Sequence, residues 1–136
     1  MTRAEVVAYI QEIKFGYLAT VGADNAPRVR PVGMYTVYGD ALYFFTMANT
    51  RKAAEIDNNP QVEVVWSKLQ EQSQVRISGK MVVEEDEGII QQFKADNPIV
   101  ANLLPDAVQH LFRLYKLQPD KVYWAKGMVP YTEIAW

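Results

Sequence analysis

A chain of 136 residues, 49% hydrophobic and 22% charged, has the size and balance of one folded domain, which excludes disordered, collagenous and membrane-spanning classes. Its 14 basic and 16 acidic residues give a net charge of −2, which argues against general binding to nucleic acid or to anionic membranes. No charged-then-apolar leader opens the chain and no apolar run approaches ~18 residues, so the expectation is a cytoplasmic protein.

Thr2 and Glu5 stand at capping-box spacing, and Val6, Val7, Ile10 and Ile13 share one helical face. An amphipathic helix is expected from about residue 3 to 13. Residues 15–21 are β-prone, 22–26 are rich in turn formers, and 27–37 form a second extended run. Pro27 and Pro31 cannot donate to a ladder, so they belong at a strand start, a bulge or an edge. Tyr38-Gly39-Asp40 reads as a turn and 41–46 as a third strand, the three forming a meander. Asn49 or Thr50 can cap a short helix over 51–58, which Asn59-Pro60 ends. Residues 62–66 give strand four, 67–73 a polar loop, and 74–84 a long strand five. Glu85, Asp86 and Glu87 complement the dipole of a helix that runs to about Lys94. Pro98 and Pro105 leave one or two short helices up to His110. Residues 111–117 are β-prone, Pro119-Asp120 is a turn, and 122–124 and 131–136 are terminal strands. No repeat or linker divides residues 1–136. Sixteen aromatic residues, 12% of the chain, favour strands, though most serve as packing. The pattern predicts a mainly β protein with some α, an antiparallel six- or seven-stranded barrel with short peripheral helices.

Much chemistry is absent. There is no cysteine, which removes disulfides, zinc-thiolate sites, iron–sulfur clusters and thiol catalysis. His110, the lone histidine, reads as a helix-end or surface residue, and the acids from Glu84 to Glu87 as a solvated helix start, so no metal site is expected. No Walker A, dinucleotide-fingerprint or nucleophile-elbow motif occurs. Two basic places remain. Arg28 and Arg30, two apart on a strand, share a face and are expected to snorkel into solvent. Thr50-Arg51-Lys52 places two cations in a helix first turn, where they oppose the dipole unless an anion binds. A hydroxyl, a guanidinium, an ammonium and free backbone N–H groups make a phosphate cradle. An ordinary exposed helix start fits the same three residues equally well.

Several segments, taken in order, resemble one family. They are Gly16-Tyr17-Leu18-Ala19-Thr20-Val21, then Pro27 and Arg30-Pro31-Val32, then Leu42-Tyr43-Phe44-Phe45-Thr46 followed by Thr50-Arg51-Lys52. Asn59-Pro60-Gln61-Val62, a strand ending in Trp66, and Gln74-Val75-Arg76-Ile77-Ser78-Gly79 complete the set. Together they are similar to the pyridoxamine 5'-phosphate oxidase-like FMN-binding split-barrel proteins. The short chain looks most like the general-stress-protein and nitroimidazole-reductase-like branches. The resemblance implies a split β-barrel that forms a homodimer with one FMN in each of two interface clefts. By position, Arg51 and Lys52 would grip the phosphate with Thr50 adding a hydroxyl, and Arg30 would approach the phosphate and ribityl chain. Pro31 and Val32 would back the ring, Phe45 and Thr46 would line its edge, Gln74 would bond its polar edge, and Trp124 would close the site from the other subunit. An apolar slot with a charged clamp suits FMN.

The departures carry equal weight. The vitamin-synthesising branch has a lysine where this chain has Tyr35, and an R-x-H element near its end where this chain has Tyr131-Thr132-Glu133-Ile134-Ala135-Trp136. The resemblance therefore implies an FMN-dependent small-molecule oxidoreductase with a nicotinamide donor, NADH or NADPH, rather than pyridoxamine phosphate oxidation. A non-enzymatic flavin carrier or redox-sensing protein is the alternative, and a deazaflavin- or haem-binding relative stands behind it. Neither the substrate nor a catalytic acid or base is assigned. The dimer has a second argument, that aromatic and apolar strands two, three and five exceed what one barrel of this size can bury. The competing reading is that the helices from Glu85 to His110 cover that patch within one monomer.

Overall fold

The computed structural model describes residues 1–136. Eight strands are present: β1 (Gly16–Val21), β2 (Pro27–Val32), β3 (Tyr35–Tyr38), β4 (Ala41–Met47), β5 (Gln61–Lys68), β6 (Ser73–Val83), β7 (Phe112–Lys126) and the short β8 (Thr132–Glu133). Four α-helices intervene: α1 (Arg3–Gln11), α2 (Arg51–Asn58), α3 (Glu87–Asp96) and α4 (Ile99–Leu103), with 3-10 turns at Leu69–Glu71 and Asp106–Leu111. Every strand pairing is antiparallel, in the order β2-β1-β5-β6-β7-β4-β3, and β8 pairs with β7.

Alternation along the strands closes this sheet around one core. Leu18, Val32, Leu42, Phe44, Val64, Trp66, Val75, Ile77, Tyr115 and Leu117 all belong to a single buried cluster, with Val37 of β3 packed against it. All seven strands on the path contribute to that interior, while its two ends, β2 and β3, are not paired with each other. The architecture is a split barrel. Val6 and Ile10 of α1 plug one region of the interior, and Ala53 and Ile56 anchor α2 to it. A second cluster lies on the outer faces of β4 and β7, where Tyr43 and Leu114 meet Phe93 of α3, Val100 of α4 and Leu104. No helix is long and apolar enough to cross a membrane.

The expected meander is interrupted. The run 27–37 is two strands, β2 pairing only with β1 and β3 only with β4, at opposite ends of the sheet path. Gly33 stands at the break, where a Cβ would lie 2.6 Å from the Phe15 ring. Pro27 and Pro31 accordingly fall on an edge strand.

Pro119-Asp120 is not a turn. β7 runs unbroken through it, because a bulge in β7 itself absorbs the irregularity: register passes from Ser78 opposite Lys121 to Gly79 opposite Pro119, leaving Asp120 as an extra residue. A Cβ on Gly79 would sit 2.5 Å from the Gln118 carbonyl, so a glycine is needed beneath this bulge.

The expected polar loop at 67–73 shrinks to a hairpin turn through Gln72, at φ 52°. α3 begins at Glu87, since Asp86 is its N-cap and accepts from the Ile89 N–H at 3.0 Å. The expected terminal strand from 131 reduces to Thr132–Glu133, after which Ile134 enters the core and the Trp136 indole donates to the Asp40 carbonyl at 2.6 Å.

Candidate functional site

The α2 start lies directly after β4, and Thr50 is its cap. The Thr50 hydroxyl accepts from the Ala53 N–H at 3.2 Å, donates to the Met47 carbonyl at 2.8 Å, and lies 3.4 Å from the Thr46 hydroxyl. The N–H groups of Arg51 and Lys52 find no acceptor in the chain, and no acid occupies the first turn. Lys52 is half-buried and forms neither an ion pair nor a hydrogen bond. Burial, and then the nearby positive charge of Arg30, hold its ammonium below the usual lysine range. Arg51 is mostly exposed, at 74% of its side chain, with Nε 4.0 Å from Glu55.

Behind this helix start is a buried polar network that sequence reasoning missed. Glu55, on α2, has a side chain only 7% exposed, and its Oε1 accepts from Arg30 Nη2 at 2.7 Å. The Thr20 hydroxyl accepts from Arg30 Nη1 at 2.7 Å and lies 3.4 Å from the same Glu55 oxygen as donor. Arg28 pairs with Asp24 at 3.0 Å and stands 3.9 Å from Glu55 Oε2. Both β2 arginines therefore turn inward, against the expectation that they snorkel into solvent. The buried carboxylate of Glu55 draws Arg30 there, and Arg28 lies between it and the exposed Asp24. Two signals for the network were present: Thr20 alternates with inward-facing Leu18, and Glu55 lies between the core residues Ala53 and Ile56.

A cleft of about 330 Å³ opens between α2 and the β1–β2 turn, lined by Asp24, Arg28, Arg51, Ala54, Glu55 and Asn58. Three cations, Arg28, Arg30 and Arg51, lie within 4.0 Å of Glu55, while Lys52 stands near Arg30 with no carboxylate paired to it and does not line this cleft.

The other expected site residues divide by face. Val32 points into the core and is buried, whereas Pro31 is exposed on the opposite face. Thr46 is buried on the inner side of β4, while Phe45 faces outward and stacks on Phe112 at 5.4 Å. One chain therefore presents the side chains of each pair to different surroundings. Gln74 is on the outer face of β6, in a shallow cleft of about 390 Å³ with Tyr17, Ala19, Val29, Glu63, Val65 and Arg76. Trp124 packs on the core and meets Tyr9 of α1 edge-on at 5.1 Å. Arg30, Thr46, Thr50, Arg51 and Lys52 thus form one group, and Pro31, Phe45, Gln74 and Trp124 lie outside it. Tyr35 donates to the carbonyls of Ile10 and Ile13, and burial pushes its hydroxyl up to about 12.

Comparison with known proteins identifies the family and the fold. The family described as Pyridoxamine 5'-phosphate oxidase matches residues 2–124. A Pyridoxine/pyridoxamine 5'-phosphate oxidase of Psychrobacter cryohalolentis is 39% identical over 74 residues, 53% of this chain and 33% of that protein. The match thus spans only about a third of the curated relative's length. Among solved structures, a NimC/NimA family protein from Clostridium acetobutylicum superposes with a TM-score of 0.80 at 17% identity, covering 96% of this chain and 89% of that one. A pyridoxamine 5'-phosphate oxidase-related, FMN binding protein from Nostoc punctiforme superposes with a TM-score of 0.68 at 17% identity, covering 96% and 88%. At such identities the structures establish the shared fold. With the family match running over nearly all the strands of a split barrel, the chain belongs to the pyridoxamine 5'-phosphate oxidase family.

Proposed function

We propose that this chain binds FMN, with the phosphate at the N-terminus of α2, and works as a small-molecule reductase fed by NADH or NADPH. The observation that carries the reading is Lys52: a half-buried ammonium with no partner, beside Arg30 and two unpaired backbone N–H groups. Cations so placed oppose the helix dipole and are stabilised by an anion. The match to a family with an FMN-binding member makes a flavin phosphate the fitting anion.

Each residue then has a task. Lys52 and the first-turn N–H groups donate to phosphate oxygens, Arg51 closes over them from solvent, and Arg30 supplies charge from β2. Bound FMN would supply the hydride chemistry, and the protein would supply position and electrostatics. Gln74 and Trp124 lie apart from this group within one chain, so a homodimer would have to bring them to it. The outer sheet face supports that assembly, since Tyr17 and Val29 are exposed there beside Val65. Pyridoxamine phosphate is not the proposed substrate: the Tyr35 hydroxyl is committed to two α1-region carbonyls and offers no cation. A cytoplasmic setting completes the proposal.

Anaerobic stopped-flow of the FMN-loaded protein with NADH and with NADPH tests the enzyme reading. Bleaching of the flavin absorbance, followed by recovery on adding an electron acceptor, is expected. Stable FMN binding without reduction by either donor would instead make the protein a flavin carrier. Sedimentation at low concentration tests the dimer, which a 15.5 kDa species retaining tight flavin would contradict.

A further inference from the structure

We propose that Glu55, with Thr20, is a positioning residue that orients the Arg30 guanidinium for phosphate; the proposal rests on the phosphate assignment above. Acceptors ring one side of that guanidinium. Nη2 donates to Glu55 Oε1 at 2.7 Å, and Nη1 donates to the Thr20 hydroxyl at 2.7 Å and to the Leu18 carbonyl at 3.4 Å. The Nε–H has no acceptor, and Arg30's charge is felt at the Lys52 ammonium. Arg30 is thus pinned on one side and left free to donate on another.

Stability alone does not explain this network. Glu55 Oε2 is buried, makes no hydrogen bond, and is only 3.9 and 4.0 Å from Arg28 and Arg51. Apolar residues of similar volume often replace buried ion pairs at no loss of stability, so such a pair is weak evidence of a stabilising role. Fixing a forked donor before its anion arrives, by contrast, lowers the ordering cost of binding.

The proposal runs against the simple electrostatic expectation. A carboxylate near a phosphate should repel it, so neutralising Glu55 should tighten FMN. A positioning role requires the opposite sign. Glu55→Gln should weaken FMN about ten-fold, the size of one charge-assisted contact, and leave riboflavin unchanged. Thr20→Val should weaken FMN in the same phosphate-dependent way by about three-fold, and it carries the test if Glu55→Gln does not fold. In an Arg30→Lys background, adding Glu55→Gln should change FMN affinity by less than about two-fold, because the residue acts through Arg30.

The experiment is a set of flavin-fluorescence titrations with FMN and riboflavin on wild type, Lys52→Ala, Glu55→Gln, Thr20→Val, Arg30→Lys and the Arg30→Lys/Glu55→Gln double variant. An FMN loss at Glu55→Gln that spares riboflavin and vanishes in the Arg30→Lys background supports the positioning role. Unchanged or tighter FMN, or equal losses for both ligands, overturns it. If Lys52→Ala itself fails to narrow the gap between FMN and riboflavin, the phosphate assignment falls and the positioning role with it. A narrowed gap at Lys52→Ala alongside unaltered FMN affinity at Glu55→Gln removes the positioning role alone.

Discussion

Two helix starts in this molecule obey opposite rules. At α1 the Thr2 hydroxyl accepts from the Glu5 N–H, and the Glu5 carboxylate accepts from the Thr2 N–H, so an acid faces the positive end of the dipole. At α2 Thr50 caps equally well, and the first two N–H groups lack acceptors just as those of Arg3 and Ala4 do at α1, yet Arg51 and Lys52 fill the first turn and no acid stands there. The chain can plainly build a complemented helix start. Where a local preference is broken beside a half-buried, unpartnered cation, an anion is the element that would restore it, which is the basis of the proposed phosphate site. The same contrast separates packing from site: α1 presses Val6 and Ile10 into the barrel, while α2 uses Ala53 and Ile56 for packing and gives its remaining faces to charge.

Reversing the charge at α2 is the sharpest way to break the contrast. Lys52→Glu makes this helix start resemble that of α1, and it should weaken FMN on the order of a thousand-fold while sparing riboflavin. Equilibrium fluorescence measures both. A smaller effect is expected from Thr2→Ala, which removes the α1 cap. It should cost about 1 kcal/mol, or about 3–5 °C in Tm, with FMN affinity unchanged. An altered flavin affinity there would mean that α1 is also part of the site. Smallest is Lys52→Met, expected to stabilise the flavin-free protein by about 0.5 kcal/mol near neutral pH.

The pH dependence of that last variant has a definite sign. Burial and Arg30 lower the Lys52 pKa in the folded state, so the folded protein binds fewer protons than the unfolded chain between the lowered value and the ordinary lysine value. Wild-type stability should gain from Lys52 as pH climbs through that window, and the penalty should be fully present below it. Denaturant melts of flavin-free wild type and Lys52→Met against pH should converge at alkaline pH. Parallel curves would mean that Lys52 titrates normally.

Most of the fold was legible because its signals are local. The Thr2/Glu5 spacing, the Thr50 cap and the alternation of Val62, Val64 and Trp66 each fix an element without help from distant residues. The misreadings came from long-range partners. Pro119 reads as a turn until a bulge opposite Gly79 accommodates it, and residues 27–37 read as one strand until the Phe15 ring claims the space above Gly33. At the site, the Thr50-Arg51-Lys52 segment was legible from its clash with the helix dipole. Arg30 could be named from family resemblance, but its orientation could not, since Glu55 and Thr20 are 25 and 10 residues away along the chain. For Gln74 and Trp124, one chain does not bring the named residues to the group.

The central claim is that the α2 start is a phosphate clamp, and one comparison tests it most directly: titration of wild type and the Arg51→Ala/Lys52→Ala double variant with FMN and with riboflavin. Each charge-assisted contact is worth roughly 1.5–3 kcal/mol, so the double variant should lose about two to four orders of magnitude toward FMN. Lys52 should account for most of the loss, because Arg51 is largely exposed and its contact is correspondingly screened. Riboflavin, which has the ring and ribityl chain but no phosphate, should bind both proteins alike. Equal losses for the two ligands, or no loss for either, would contradict the clamp.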